Sequence, residues 1–581
     1  MRIYRYGLKE LKACNDLSDV ARLLDVQPKF LAKQIYHVDD SDKYHQFNIP
    51  KKSGSKRQIN SPNSNLKFIQ SRLSRLLYQC YFDLHGKPDK PSQVLSHGFQ
   101  RDRDLSIFTN AKRHTNKRYV FNVDIADFFP SFNFGRVRGY FIKNKSFSLN
   151  ETVATVIAQT ACFKNSLPQG APSSPIITEF ISQVLDFRLQ SIASGYRCTY
   201  SRYADDITFS TNLKKFPSKI GFSFPVPKIW VAGPDLEKAV AKSGFELNAK
   251  KVRMQHFNQR QATTSLTVNK KVNVRTFYYK GVRLVAHAMM TYGKAEASKS
   301  SIEPGKPLSA NQILGMLAHV HDIKGRDLKP KALRHYGGLN PAPHYLRLMG
   351  NFYHYQRIHI NPRPIIICEG KTDYIYLKEA IRWNIADPRV ASKLVDPVRL
   401  LAPKGKGDHW LVDFLNHTKT AGNLLDLDGG GGDLVKFAKI HLERIKKFHD
   451  NPLQAPVIII VDNDSQSEGM WSFIKEATKS KVKIDGTNPF YHVAANLFVV
   501  PIPSGGKPDF YIEKLFDARW LKKTIGGRTF KIKQKKKEKL KDTEYGKMEF
   551  AEKVIRANRG KVDCSAFLPM LNTICDIIDK K

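Results

Sequence analysis

Cys198-Thr199-Tyr200-Ser201-Arg202-Tyr203-Ala204-Asp205-Asp206-Ile207-Thr208-Phe209-Ser210 sets two adjacent acids between runs of β-forming residues. The pattern predicts a hairpin with the carboxylates at its turn. Like charges side by side repel, and the nearest cation in sequence is Arg202. A divalent cation would remove that repulsion, which makes Asp205 and Asp206 candidate Mg²⁺ ligands for nucleotide transfer. A solvated turn is the bland reading of any single Asp-Asp pair, so partners elsewhere in the chain decide between the two.

Asp124 is the first partner. It ends the extended run Tyr119-Val120-Phe121-Asn122-Val123 and opens Asp124-Ile125-Ala126-Asp127-Phe128-Phe129. Packing explains an acid at the end of a buried strand poorly; a metal shared with a neighbouring hairpin explains it well. Two-metal sites hold ions ~3.5–4 Å apart to stabilise attacking and leaving oxygens, and Mg²⁺ takes one or two carboxylates plus substrate phosphates. Phe128 and Phe129 fit a core; Phe129 fits equally the wall of a sugar pocket that excludes a 2′-hydroxyl. Between the acids, Leu167-Pro168-Gln169-Gly170-Ala171-Pro172 is a rigid turn opening a helix from Ile176 to about Leu189. Gly170 allows close backbone approach, and Gln169 can hydrogen-bond a nucleotide. Upstream, Ile49-Pro50-Lys51-Lys52-Ser53-Gly54-Ser55-Lys56-Arg57-Gln58-Ile59 reads as a hairpin tip with cations on both arms. A solvated loop and a triphosphate clamp both fit it.

The 581 residues exceed one ordinary core, so two to four domains are expected. Lys plus Arg number 95 against 53 Asp plus Glu, a formal charge of +42, and nucleic acid is the partner that such an excess favours over anionic membrane. No apolar run approaches the ~18 residues of a membrane span, and Met1-Arg2-Ile3-Tyr4-Arg5 has no apolar signal core. The seven cysteines form no Cys-x-x-Cys pair and read as reduced thiols of a cytoplasmic protein.

In this order and spacing, Asp124 to Phe129, Leu167 to Gly170 and Tyr203 to Asp206 resemble motifs A, B and C of the reverse transcriptases. The resemblance implies an α+β right-hand fold of fingers, palm and thumb. It implies Asp124, Asp205 and Asp206 as metal ligands, with the backbone carbonyl of Ile125 beside them and two Mg²⁺ per active site. Gln169 and Gly170 would frame the incoming deoxynucleoside triphosphate, Phe129 would be the steric gate, and Lys51 and Arg57 would contact the triphosphate. Asn110-Ala111-Lys112-Arg113-His114 is similar to the Asn-Ala-x-x-His signature of retron enzymes. Arg260 to Asn269 aligns with their Val-Thr-Gly region, where only Thr264 is kept and Thr263 and Ser265 replace Val and Gly. A retron enzyme copies part of its own structured non-coding RNA, primed from a guanosine 2′-hydroxyl, into a branched RNA–DNA product.

The pattern changes near Asn361-Pro362-Arg363-Pro364. Ile365-Ile366-Ile367-Cys368-Glu369-Gly370 and Val457-Ile458-Ile459-Ile460-Val461-Asp462-Asn463-Asp464 are continuous apolar runs that end in acids. Such runs suit parallel strands covered on both faces, and ligands of open α/β sheets bind at the carboxyl ends of strands. Glu369, Asp462 and Asp464 are therefore expected at one sheet edge. This half resembles a Toprim domain, an α/β fold with a mostly parallel sheet. The resemblance implies Mg²⁺-dependent phosphodiester chemistry, with Asp462 and Asp464 as ligands, Glu369 as ligand or acid/base, and Asp373 assisting. Ile512 to Phe516 and Gly546 to Ala551 resemble elements of overcoming-lysogenisation-defect nucleases, which implies Glu513 as a ligand and Lys547 as a phosphate stabiliser. Asp428 to Asp433 reads as a flexible turn rather than a phosphate loop, since it lacks the Lys-Ser/Thr pair.

The expected organisation is an N-terminal helical segment over 1–48, fingers and palm over 49–300, a helical thumb over 301–358 with Tyr353 and Tyr355 available to a duplex, a linker at 359–364 and a Toprim nuclease over 365–581. The expected function is a retron reverse transcriptase fused to a toxin-like antiphage nuclease, acting on its own non-coding RNA, the RNA–DNA product and a second nucleic acid, and compatible with a homo-oligomer. The alternatives are a non-catalytic Toprim-fold binding module in the second half and a mobile-element reverse transcriptase.

Overall fold

The computed structural model describes residues 6–50, 56–86, 95–100, 104–224, 229–298, 303–326, 343–386, 400–404, 407–415, 422, 424–425, 427, 430–451, 454–507, 509–532 and 540–579. Two compact units divide the chain, Met1–Tyr278 and Tyr279–Lys581.

In the first unit, short helices Leu8–Lys12 (α1), Leu17–Leu23 (α2), Pro28–Ala32 (α3) and Asp40–Lys43 (α4) open the described chain. Val20, Leu23, Leu24, Leu31 and Ile35, the residues at helical spacing, are buried. Strand Tyr44–Pro50 (β1) pairs antiparallel with Lys56–Pro62 (β2), Ile49 opposite Arg57, so the hairpin arms start earlier than the Ile49–Ile59 pattern suggests. The tip at 51–55, including Lys51, lies outside the described residues. Helix Ser64–His85 (α5) is capped by Asn63 and buries Leu66, Ile69, Leu73, Leu76 and Leu77 along one face.

Ile107–Lys112 (α6) leads to strand Tyr119–Asp124 (β3). Helices Phe134–Lys143 (α7), Glu151–Ala161 (α8) and Ser174–Gly195 (α9) precede the hairpin of Thr199–Tyr203 (β4) and Asp206–Thr211 (β5). Segment 211–235, whose prolines predict irregular backbone, contains a small antiparallel pair, Gly221–Ser223 (β6) with Trp230–Ala232 (β7). Its prolines 225 and 227 fall outside the described residues. Helix Pro234–Lys242 (α10) and strand Arg253–His256 (β8) follow, and the central sheet runs β4-β5-β3-β8, all antiparallel.

Strand alternation gives this sheet two unlike faces. Phe121, Val123, Tyr200, Ile207, Phe209 and Met254 belong to one large core with residues of α5, α7, α8 and α9. Asn122, Asp124, Ser201, Asp206, Thr208, Ser210 and Gln255 point the other way, as the cross-strand pairs require. Over part of this polar face lie α6 and the two-residue hairpin of Ala262–Thr263 (β9) and Leu266–Thr267 (β10).

Helix Thr276–Tyr292 (α11) continues into the second unit, where Ala310–Gly325 (α12) and His344–His354 (α13) follow. Next come Ile365–Cys368 (β11), Asp373–Ala386 (α14), the pair Leu401–Lys404 (β12) and Gly407–Trp410 (β13), and Asp413–Phe414 (β14). Helix Gly431–Ile445 (α15), strand Val457–Val461 (β15), helix Glu468–Thr478 (α16), strands Tyr491–Ala494 (β16) and Leu497–Pro501 (β17), and helix Leu568–Asp579 (α17) complete the unit. The sheet order is β14-β11-β15-β17-β16, parallel except for edge strand β16. Ile366, Cys368, Ile458, Ile460 and Val500 pack with α14 and α17. Ile365, Ile367, Val457, Ile459 and Val461 pack with α15 and α16. Burial on both faces is why these strands carry no polar alternation.

The boundary between compact units comes earlier than the 359–364 segment expected to link domains. Helix α13 buries against the second sheet's helices: His354 Nε2 meets His441 Nδ1 of α15 at 3.1 Å, and Ile358 joins the β15 core. Tyr355 is likewise unavailable to a duplex; it is buried and its hydroxyl meets His449 Nε2 at 2.9 Å.

Ile459 is fully buried in the centre of this sheet, whereas Val482 is 70% exposed. Ile459→Ala is expected to destabilise by about 2–5 kcal/mol and Val482→Ala to stay within about 0.5 kcal/mol, both read by denaturant titration.

Candidate active sites

Asp124 ends β3 directly opposite Asp206, the first residue of β5. Tyr203 pairs with Asp206, leaving Ala204-Asp205 as a two-residue turn with Ala204 at φ +55°. Asp205 accepts from the Ile125 N–H through its carbonyl at 3.1 Å. Three acids thus share one end of one sheet. Arg202 does not offset them. It lies fully buried on the opposite sheet face, where it forks onto Asp186 of α9 with Nε–Oδ1 and Nη2–Oδ2 both 2.7 Å. Nη1 reaches Glu179 at 3.4 Å and donates to the Ala204 carbonyl at 3.0 Å, so this cation ties the turn to α9. The cation on the acids is Lys251, whose Nζ is 2.7 Å from Asp124 Oδ1.

Asp206 and Asp124 resist ionisation. Asp206 has an exposed outer edge, yet desolvation on its protein side pushes its carboxyl up to about 7, with Asp205 and Asp124 adding to the rise. Burial also raises Asp124, opposed by the Lys251 hydrogen bond.

The Leu167–Gly170 turn is bound to the first hairpin: Asn60 N–H donates to the Gln169 carbonyl at 2.9 Å. Gly170 has φ +126°, and a Cβ there would lie 2.8 Å from the Asn60 carbonyl. Its close approach is therefore to β2. Phe129 is half-buried against Phe99 and Phe128, with ring centroids 6.0 and 5.6 Å away. Arg57 is exposed on β2, and Asp127 is exposed at φ +41°.

The second acid cluster sits at the carboxyl ends of β11 and β15, which are adjacent and parallel. Glu369 Oε2 accepts from the Asp462 N–H at 3.2 Å. Asp462 Oδ1 accepts from Ile512 N–H at 3.0 Å, and Asp464 Oδ1 accepts from Gln466 N–H at 2.9 Å to cap the next turn. Asp373 is buried, with Oδ2 accepting from Gly370 N–H at 2.6 Å. Glu513 is fully buried; Lys547 Nζ is 2.8 Å from its Oε1, but neither carboxylate oxygen accepts a well-directed hydrogen bond. Burial pushes Glu369 up to about 6, with Asp464 and Asp373 adding to the rise. Burial raises Asp462 well above the carboxylate range, as do the charges of Asp373, Glu369 and Glu513.

Gly430 and Gly431 belong to this site rather than to a free turn. Gly430 N–H donates to the Glu369 carbonyl at 3.3 Å, and a Cβ on Gly431 would lie 3.4 Å from Glu369 Oε1. Asp428 and Gly429 lie outside the described residues. Among the described residues, no group of three or more His, Cys, Asp or Glu is arranged to hold a metal ion. The crowded carboxylates and the unbonded oxygens of Glu513 nevertheless suit a divalent cation chemically, with Lys251 and Lys547 supplying counter-charge.

Residues 49–284 match the family model for reverse transcriptase (RNA-dependent DNA polymerase). The chain is 30% identical to the Retron Ec86 reverse transcriptase of Escherichia coli over 282 residues, which is 48% of this chain and 79% of that protein. It is 31% identical to the Retron Mx162 reverse transcriptase of Myxococcus xanthus over 345 residues, 55% of this chain and 66% of the relative. The Retron Mx65 reverse transcriptase of Myxococcus xanthus is 29% identical, with 55% and 70% covered. The chain belongs to the retron reverse transcriptases. It carries a right-hand polymerase domain and is an RNA-directed DNA polymerase. Among its described residues no helix is long and apolar enough to cross a membrane.

Several parts of this retron reverse transcriptase give no sequence signal of their own. Lys251 is one of two adjacent lysines in a turn, and only the β3–β8 geometry brings it to Asp124. Asp186 and Glu179 read as ordinary helix acids until Arg202 is seen between them.

Removing Arg202 strands two buried carboxylates. Arg202→Ala is expected to cost about 3–5 kcal/mol by denaturant titration. Asp206 retains its proton longer when folded than when unfolded, so its contribution to stability falls as pH rises from the ordinary carboxylate range to about 7. Thermal midpoints of metal-free Asp206→Asn should decline less over that window than those of the parent.

Proposed function

We propose that this enzyme copies part of its own non-coding RNA into a branched RNA–DNA hybrid, and that its second unit is a Toprim-type nuclease controlled by that hybrid in antiphage defence. The pairing of Asp124 with Asp206, with Asp205 in the adjoining turn, carries the first half. In this reading Asp124, Asp205 and Asp206, with the Ile125 carbonyl, hold two Mg²⁺ ions, which stabilise attacking and leaving oxygens when bound. Gln169 and Gly170 frame the deoxynucleoside triphosphate, Phe129 excludes a 2′-hydroxyl, and Lys51 and Arg57 meet its phosphates.

Helices α11 and α13 supply a site for the hybrid. A cavity of about 580 Å³ is lined by Lys280, Arg283, Leu284, His287, His344 and Arg347, with no acid in its lining among the described residues. Such a cationic groove suits a phosphate backbone. Helix α15 offers a route from groove to nuclease. It meets α13 through His441 and Arg444, and its first residue, Gly431, lies beside Glu369. Fifteen residues span ~22 Å.

The second half rests on the juxtaposition of Glu369 and Asp462 on neighbouring parallel strands. Asp462, Asp464, Glu369 and Glu513 would hold Mg²⁺, and Lys547 would stabilise phosphate charge. One observation favours a non-catalytic binding module instead: Lys547 Nζ is already paired with Glu513 at 2.8 Å.

Glu369→Ala separates these readings. Loss of Mg²⁺-dependent cleavage and cellular toxicity, with DNA synthesis intact, is expected; unchanged toxicity contradicts the nuclease. Asp205→Asn with Asp206→Asn should abolish both synthesis and phage protection, and protection without synthesis breaks the proposed control. Arg283→Glu with Arg347→Glu should weaken hybrid binding and reduce its salt slope by about 2.

A further inference from the structure

The polar face of the central sheet continues beneath protein cover, away from the acids. Asn122 Nδ2 donates to Thr208 Oγ1 at 2.9 Å, one cross-strand pair along the same face from Asp124 and Asp206. Gln255 Nε2 is 2.5 Å from Asn122 Oδ1, and Gln255 Oε1 accepts from the Ala262 N–H at 2.7 Å, which fastens the base of the β9–β10 hairpin to β3. Further along, Ser201 Oγ donates to Asn110 Oδ1 at 2.7 Å. His114 Nε2 is 2.7 Å from Ser201 Oγ, and its Nδ1 is 2.7 Å from Ser210 Oγ. Because the Ser201 proton goes to Asn110, His114 donates from Nε2 and accepts from the Ser210 hydroxyl at Nδ1. Asn110, His114, Ser201, Thr208 and Ser210 are all 0% exposed.

Packing alone does not require this chemistry. A sheet face covered by a helix and a hairpin is ordinarily lined by apolar β-formers, and buried polar groups cost stability unless bonded. Even here the bonding is incomplete: Asn110 Nδ2 and Thr263 Oγ1 have no hydrogen-bond partner among the described residues. Directional bonds fix register in a way that apolar contacts do not. The cover is tied in at its outer end. Thr264 and Ser265, at φ +47° and +66°, form the β9–β10 turn, and Thr264 Oγ1 donates to the Ile107 carbonyl of α6 at 3.2 Å.

We propose that Asn110 and His114, with Ser201 and Ser210 across β4 and β5 and Asn122 and Thr208 across β3 and β5, are positioning residues that set the register of β4, β5 and β3 and so hold Asp124 and Asp206 opposed. Asn110 and His114, both fully buried, thus act on the reaction through the catalytic hairpin, without touching substrate. This inference rests on the reading of Asp124, Asp205 and Asp206 as the metal-holding acids.

The test uses the full chain with Thr208→Val and with Ser201→Ala plus Ser210→Ala, which remove the bonds with little change in volume. Template-primed DNA synthesis is measured against Mg²⁺ and deoxynucleoside triphosphate concentration. Thermal midpoints and hydrogen exchange of amides 199–211 are measured without metal. Positioning predicts a 10–100-fold loss in kcat or in apparent Mg²⁺ affinity, a nucleotide KM within about twofold and faster exchange at the hairpin, with the loss not ordered by the fall in thermal midpoint that unpairing buried groups brings. Parental kcat and Mg²⁺ dependence overturn the proposal, as does a loss that tracks the thermal midpoint across the variants. Should Thr208→Val misfold, the serine pair decides alone. Parental synthesis by Asp205→Asn plus Asp206→Asn would instead overturn the underlying assignment of the acids.

Discussion

Three carboxylates at one end of one sheet repel, and much of the first unit is arranged to keep them there. Asp205 sits in the two-residue Ala204–Asp205 turn, and Asp206 opens β5 directly after it. Arg202 anchors that turn from the core side, held by Asp186 and Glu179. A buried guanidinium forked onto a carboxylate has few ways to rearrange, since any shift strands charge in a poorly solvating interior. The Asn110–Ser201–His114–Ser210 layer holds the same strands from the other face. The acids therefore sit at the edge of a sheet fixed on both sides.

The second unit meets the same problem with a different topology. Parallel strands β11 and β15 deliver Glu369 and Asp462 to one edge, while Asp373 and Glu513 approach from α14 and from the Ile512–Leu515 turn. Burial and the charge of neighbouring acids, Asp373 for both, raise Asp462 and Glu369. Helix α15 begins beside Glu369 and ends among buried histidines that pack on α13, so one rigid element touches both the acids and the helices bearing the cationic groove.

Much of this was legible in the sequence because periodicity and strand-end acids are local signals. The extended run Tyr119–Val123, the apolar runs at Ile365 and Val457, and the helical spacing of Leu66 to Leu77 all report elements directly. Arg202 was misleading because sequence distance says nothing about which sheet face a side chain takes; its neighbours on β4 show that it points into the core. The glycines at 430–431 looked like loop punctuation, and only the α15 start places them against Glu369. Packing of α13 onto the second sheet was hidden for a similar reason. His354 and the Tyr355 that follows it give no sign in the sequence of their partners, eighty or more residues away.

The most direct test is the nucleic acid that copurifies with the full chain expressed with its own non-coding RNA. The account predicts single-stranded DNA joined to RNA through a guanosine 2′-oxygen, so that ribonuclease leaves DNA bearing a short branched RNA remnant. It also predicts that Asp205→Asn with Asp206→Asn yields the RNA alone. Unbranched DNA, or branched DNA still made by that variant, would contradict it.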